Sequence, residues 1–208
     1  MGDIIHFTPK YNAHKMETVR ASFMDRLSEE VLSNDKRIDM PPTVVAQLIR
    51  RGYSDASKGL MFPVIEFAND FKIDVIVTNF PNDSKTLKGY LSLYANRLNI
   101  PPRIVVSDSE SYGHQRWTVA HEIWHFLMHA KDNRTETVYY PEDSLNYDLD
   151  DSSEEACANA FATELLMPEQ MFRFVYRKSS FWNRKRKLSS MFMVSPKAIK
   201  RRIRELNL

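Results

Sequence analysis

Only one cysteine, Cys157, stands among the 208 residues, so no disulfide can form within the chain. A small fold stapled by disulfides is excluded, and an intracellular, cytoplasmic protein is the expectation. Long hydrophobic runs are missing too. None approaches the ~20 residues that a membrane-spanning helix needs. The opening Met1-Gly2-Asp3-Ile4-Ile5-His6-Phe7 lacks a basic stretch followed by an apolar core, so no secretory signal is expected. Proline is sparse and clustered, and there is no internal repeat or low-complexity tract. What remains is 43% apolar and 12% aromatic, the composition of a packed core and not of a disordered chain. The length suffices for one sizeable domain with a small appendage.

Charge of one sign is missing from two regions. Glu142 to Glu155 holds seven acids and no base, whereas Arg173 to Leu208 holds twelve Lys or Arg against the single acid Glu205. The net charge of +2 hides this separation. Basic tails can mark nucleic-acid contact. Here, though, Ser195 to Leu206 reads as a helix with Ser195 as N-cap and Pro196 at its first position. Ala198, Ile199, Ile203 and Leu206 form its apolar stripe, which leaves the arginines solvated. A solvated basic face or partner surface is therefore preferred to direct nucleic-acid binding. With the preceding Leu188 to Val194 the segment has the look of a helix-turn-helix.

Hydrophobic periodicity places the other elements. His14 to Ser33 is amphipathic through Val19, Phe23, Leu27 and Val31, and predicts a helix that Asp39 to Pro42 breaks. Thr43 to Arg51 follows as a second helix, and Gly52 to Gly59 as a polar connector. Residues 1–58 thus read as an N-terminal helical extension, either a partner-binding element or two extra core helices, ahead of a main domain over 59–208. Phe62 to Phe71 predicts a helix. Ile73 to Thr78, Gly89 to Tyr94 and Arg103 to Ser107 predict strands, with Pro101-Pro102 turning the chain between the last two. Helices dominate afterwards, so the class is α+β, a small sheet preceding a metal-binding helix and a mostly helical second half. Asp132 to Asp151 reads as a long polar loop holding Tyr139, Tyr140 and Tyr147, a candidate lid.

That helix carries the chemistry. His121-Glu122-Ile123-Trp124-His125 puts two imidazoles one turn apart on one face, both within reach of one metal ion. Glu122 lies about 100° further round, better placed to act on metal-bound water than to bind the metal. The alternative is a pair of core histidines, with Glu122 paired to Arg116. On so apolar a helix that burial would be costly without a partner, and a metal is the simplest one. A catalytic zinc needs a third protein ligand. His129, a further turn along, lies too far for the same ion, since three imidazoles at i, i+4 and i+8 span about 12 Å of helix; packing or a supporting contact suits it better. A helix from near Ser152 to Pro168 offers Glu154 and Glu155. Either could also close a capping box, and spacing alone favours Glu155 only slightly. Cys157 has no Cys/His/Asn pattern around it and reads as a small buried hydrophobe.

Arg116-x-Thr118-x-Ala120-His121-Glu122-x-x-His125, together with Glu155-x-x-Ala158-Asn159-x-Phe161-Ala162-x-x-Leu165-Leu166-Met167-Pro168, resembles the ImmA/IrrE family of zinc metallopeptidases. Lys88-Gly89-Tyr90-Leu91, Arg103 to Val106 and the tail Phe192-x-Val194-Ser195-x-x-Ala198-x-x-x-Arg201 extend the likeness over Phe62 to Leu208. The resemblance implies a zincin-like core. It implies His121, His125 and Glu155 as ligands to Zn²⁺ and Glu122 as the catalytic glutamate. It also implies a protein substrate, a helix-turn-helix transcriptional repressor, often of a phage or mobile element. A non-proteolytic regulator or toxin–antitoxin component is the alternative. One position departs: the family's commonest form has Gly before the second histidine, and this chain has Trp124.

Overall fold

The computed structural model describes residues 20–29, 39–53, 60–80, 87–93, 101–130, 137–139 and 154–208. Helix α1 occupies residues 20–29, followed by α2 (Pro42–Tyr53), α3 (Val64–Asp70), β1 (Asp74–Thr78), β2 (Gly89–Leu93) and β3 (Arg103–Ser107). Then come α4 (Tyr112–His129), β4 (Thr137–Tyr139), α5 (Glu154–Leu166), α6 (Glu169–Lys178), α7 (Arg184–Phe192) and α8 (Pro196–Glu205). The fold is α+β, as the patterning predicts.

β-Branched residues dominate β1 and β3, and these two strands pair in parallel; β2 pairs antiparallel with β3 on one side and with β4 on the other, giving the order β1-β3-β2-β4. Leu91 lies opposite Ile104, and Gly89 opposite Val106. Leu91, Ile104 and Val106 are fully buried on one sheet face, which packs against α4. Gly89 is needed there. A Cβ on it would lie 2.5 Å from Thr118 of α4 and 2.7 Å from the Val105 carbonyl oxygen, so only glycine lets helix and sheet approach this closely.

Three expectations need correction. Residues 137–139 are not loop but an edge strand, and a partner on β2 supplies the backbone pairing that local polarity did not reveal. The rest of that segment, with Tyr140 and Tyr147, lies outside the described residues, as do the first part of the His14 to Ser33 helix and any cap at Asp151 or Ser152. Residues 39–41 are non-helical between α1 and α2, but Pro42, placed in that break, is instead the first residue of α2, because its missing N–H costs nothing in a first turn. Arg202 is not solvated. It is buried and pairs with buried Glu164, since it lies three residues after Ile199 and faces the core with it.

The core joins every layer. α5 packs on both α4 and α2, and Val45, Ala46 and Ile49 of α2 are buried with Phe161, Leu165 and Ile123 in one cluster. Arg116, buried within α4, donates to the carbonyls of Phe62, Phe192 and Met193. It ties α4 to the start of α3 and the end of α7 and makes no pair with Glu122. Gly113 works with it: a Cβ there would meet the Val194 and Ser195 backbone at 2.9 Å. The turn into α8 therefore rests directly on α4. α8 begins as its sequence predicts, Ser195 Oγ accepting from the Ala198 N–H at 3.2 Å with Pro196 at the first position.

Candidate metal centre

α4 is buried nearly all round, which explains why its hydrophobic pattern is diffuse and its polar residues stand out. His121 and His125 are 1% and 2% exposed. Their Nε2 atoms lie 3.1 Å apart. The Glu155 carboxylate, from the first turn of α5, completes the triangle at 3.1 Å from each. A four-coordinate ion with N and O ligands at ~2.0–2.1 Å holds those ligands about 3.3 Å apart. One carboxylate oxygen, Oε2, meets His121 and the other, Oε1, meets His125, and the three groups, with ligand atoms within 4.8 Å of one another, suit one face of such a site, with a fourth position left for water.

The opposite edges of both rings are tied down. His121 Nδ1–H donates to Asn159 Oδ1 at 3.1 Å, and Asn159 Nδ2 donates in turn to the Glu155 carbonyl at 2.6 Å. His125 Nδ1–H donates to Glu154 Oε1 at 2.9 Å, and His129 Nε2 meets the same oxygen. These bonds select the tautomers that leave both Nε2 lone pairs facing Glu155. His129 therefore sits beyond the metal-facing atoms, as its spacing predicts. With Glu154 and His125 it forms a second group able to hold a metal. It uses the other nitrogen of His125, so as arranged here it serves to orient that ring.

Protonation follows from this packing. Burial disfavours charge on His125, but the hydrogen bond with Glu155, the charge of Glu122 and the bond with Glu154 outweigh it and lift its pKa to about 8. Burial dominates at His121 and pushes its pKa down. Burial would raise Glu155, but its hydrogen bonds with His121 and His125 hold it at about 2. Glu122 is the outlier. It is fully buried, and neither carboxylate oxygen has a hydrogen-bond partner among the described residues. Burial lifts its pKa to about 8, Glu155 adding to the shift while His125 and the nearby Leu91 amide oppose it. A buried carboxylate without partners costs stability, and such groups gather where chemistry is done.

Trp124 turns into the α4–α5 core and packs on Phe161, with ring centroids 5.4 Å apart. Cys157 is free and half-buried; burial and the Glu154 charge raise its pKa, which keeps the thiol protonated. Sequence reasoning did not find Trp117 as a site residue. Its ring lies 5.3 Å from that of His121 and walls a cavity of about 80 Å³ with Thr163, Met167 and Ala198. The orienting role of Glu154 was missed too. The available signal was His129, one turn past His125, which puts another imidazole beside any carboxylate that reaches the far edge of His125.

The chain matches the family described as IrrE N-terminal-like domain, peptidase family M78, over residues 68–204. It belongs to that family, a class of metallopeptidase-like domains. No curated protein matches it significantly. A solved Mycobacterium tuberculosis transcriptional regulator is similar at 17% identity with a TM-score of 0.47, over 90% of this chain and 51% of that one. The chain thus spans about half the length of that relative. Among the described residues no helix is long and apolar enough to cross a membrane.

Proposed function

We propose that this protein is a zinc-dependent endopeptidase in which His121, His125 and Glu155 hold the metal and Glu122 moves the proton. The observation that carries the reading is the convergence of two Nε2 atoms, 3.1 Å apart, with a carboxylate whose two oxygens each lie 3.1 Å from one of them, beside the fully buried Glu122, whose side-chain oxygens have no hydrogen-bond partner among the described residues. Zinc in that position supplies a water of lowered pKa, towards ~7, and an electrophile for the scissile carbonyl. Asn159 and Glu154 keep the two imidazoles facing it. Glu122, buried one residue along from the first of these histidines, would take up a proton on its carboxylate and pass it to the leaving amine.

The substrate class we infer is a helix-turn-helix repressor, on family grounds, acted on in the cytoplasm. Residues 1–58 are read as an extension that braces the 59–208 unit, because α2 packs on the ligand-bearing α5. Two variants test the mechanism. Elemental analysis should find about one zinc per wild-type chain, and clearly less in Glu155→Ala. Glu122→Gln should keep its zinc yet lose cleavage of a co-expressed repressor. Full cleavage by Glu122→Gln, or well-folded wild type that takes up no zinc, would discard the peptidase reading and favour a partner-binding regulator.

A further inference from the structure

Between α6 and α7 the chain turns at residues 181–183 and leaves two large rings in solvent. Phe181 is 77% exposed and Trp182 92%, packed edge to face with centroids 5.9 Å apart. Rings left in water gain little of the stabilisation that burial gives, so these two contribute little to folding. Immediately after them come Arg184, Lys185, Arg186 and Lys187. Arg184 lies over the Tyr176 ring at 4.2 Å and donates to the Ser179 carbonyl. Lys185, Arg186 and Lys187 are exposed.

α8 faces this run. Arg202 is taken by Glu164, and Arg201 by Glu205 at 2.7 Å. Lys200 and Arg204 are exposed, and they share a hollow with Lys185 and Ile203. A larger concavity of about 740 Å³ adjoins it, with Trp182 and Lys185 on one side and Ile203 and Leu208 on the other. Aromatic faces, cations with no ion pair among the described residues and a groove therefore coincide on one surface. It uses no residue of the metal centre.

We propose that this groove binds single-stranded nucleic acid, with bases stacking on Trp182 and Phe181 and phosphates held by Lys185, Arg186, Lys200 and Arg204. A single strand offers π-faces and regularly spaced negative charge together, which is what this surface complements. A duplex hides its base faces within the stack. A bilayer is planar, so it would meet the Phe181–Trp182 tip but not the concave groove behind it. An acidic peptide answers the cations and leaves the rings without a flat partner. The proposal does not rest on the peptidase reading.

The test uses the zinc-loaded full chain and a fluorescein-labelled oligothymidine of about twenty nucleotides. Anisotropy reports association, and quenching of indole emission reports contact with Trp182. Trp182→Ala should weaken binding about tenfold. Lys185→Ala with Arg186→Ala should flatten the slope of log affinity against log salt by about 1.4, two phosphates' worth. All three side chains lie at the surface, so zinc content and circular dichroism should match wild type. The proposal is overturned by absence of association at low salt, or by affinity that Trp182→Ala leaves unchanged. It is equally overturned if polyglutamate or phosphatidylserine vesicles bind more tightly than the oligonucleotide with the same dependence on Trp182.

Discussion

Two side chains that never touch the metal-facing point decide how well it is built. Asn159 and Glu154 hold the far edges of His121 and His125, and bonds of this kind raise ligand basicity and fix the ring. Glu154→Ala should therefore lower zinc affinity about 10–100-fold while leaving one zinc per chain at saturation; competition against a chelator of known affinity reads this directly. The pH dependence follows from His125. Its Nδ1–H is committed to Glu154, so the proton it gains below about 8 sits on the metal-facing Nε2. Glu155, held at about 2, stays ionised throughout. Zinc affinity should fall about tenfold per pH unit below about 8 and level off above it, with one proton released per zinc bound near neutrality; calorimetry in buffers of different ionisation enthalpy counts that proton. In metal-stripped protein the sign reverses. A pKa raised from 6.5 to about 8 contributes stability that is full below 6.5 and lost as pH rises through 8.

At the scale of elements, the contact between α8 and α5 shows where periodicity is an incomplete guide. Ile199, Arg202 and Leu206 lie along one buried face, and Arg202 reaches Glu164, which also accepts from Gln47 of α2 at 3.0 Å. The pair joins three helices. Arg202→Leu strands the Glu164 carboxylate in the core and should cost about 3–5 kcal/mol, as removal of one partner from a buried ion pair does; urea unfolding checks it. Arg201→Ala, at the rim, should cost well under 1 kcal/mol in the same experiment. An arginine in a basic run looks solvated until its helix docks. The helix-turn-helix look of α7 and α8 has a structural cause as well: Arg116 and Gly113 of α4 hold the turn between them.

Across the whole molecule, the metal-facing atoms come from α4 and α5, two helices at the centre of the core, with α2 and the sheet behind them. On the proposed reading an ion held there would cross-link the fold, and its binding free energy would add to folding. With free zinc a thousandfold above its dissociation constant the gain is about 4 kcal/mol, or roughly 8–16 °C in melting temperature for a chain of this size. Stripping the metal should lower the melting temperature by that order in wild type, and much less in Glu155→Ala; paired calorimetric scans would show it.

Much of this was legible in advance because it is local. Helix spacing alone put His121 and His125 on one face, set His129 beyond the point their Nε2 atoms share and turned Glu122 aside. β-Branched runs marked β1 and β3, and Ser195-Pro196 marked the start of α8. The structure alone decided whatever depends on a partner distant in the chain. It set Glu155 on the Nε2 atoms and Glu154 on the opposite edge of His125, a choice between adjacent residues that hangs on how α5 is rotated against α4. It also paired β4 with β2, buried Arg202 against Glu164 and left Trp182 in solvent. Local patterns record the preferences of one element. Which of its faces is satisfied, and by what, is set when elements meet.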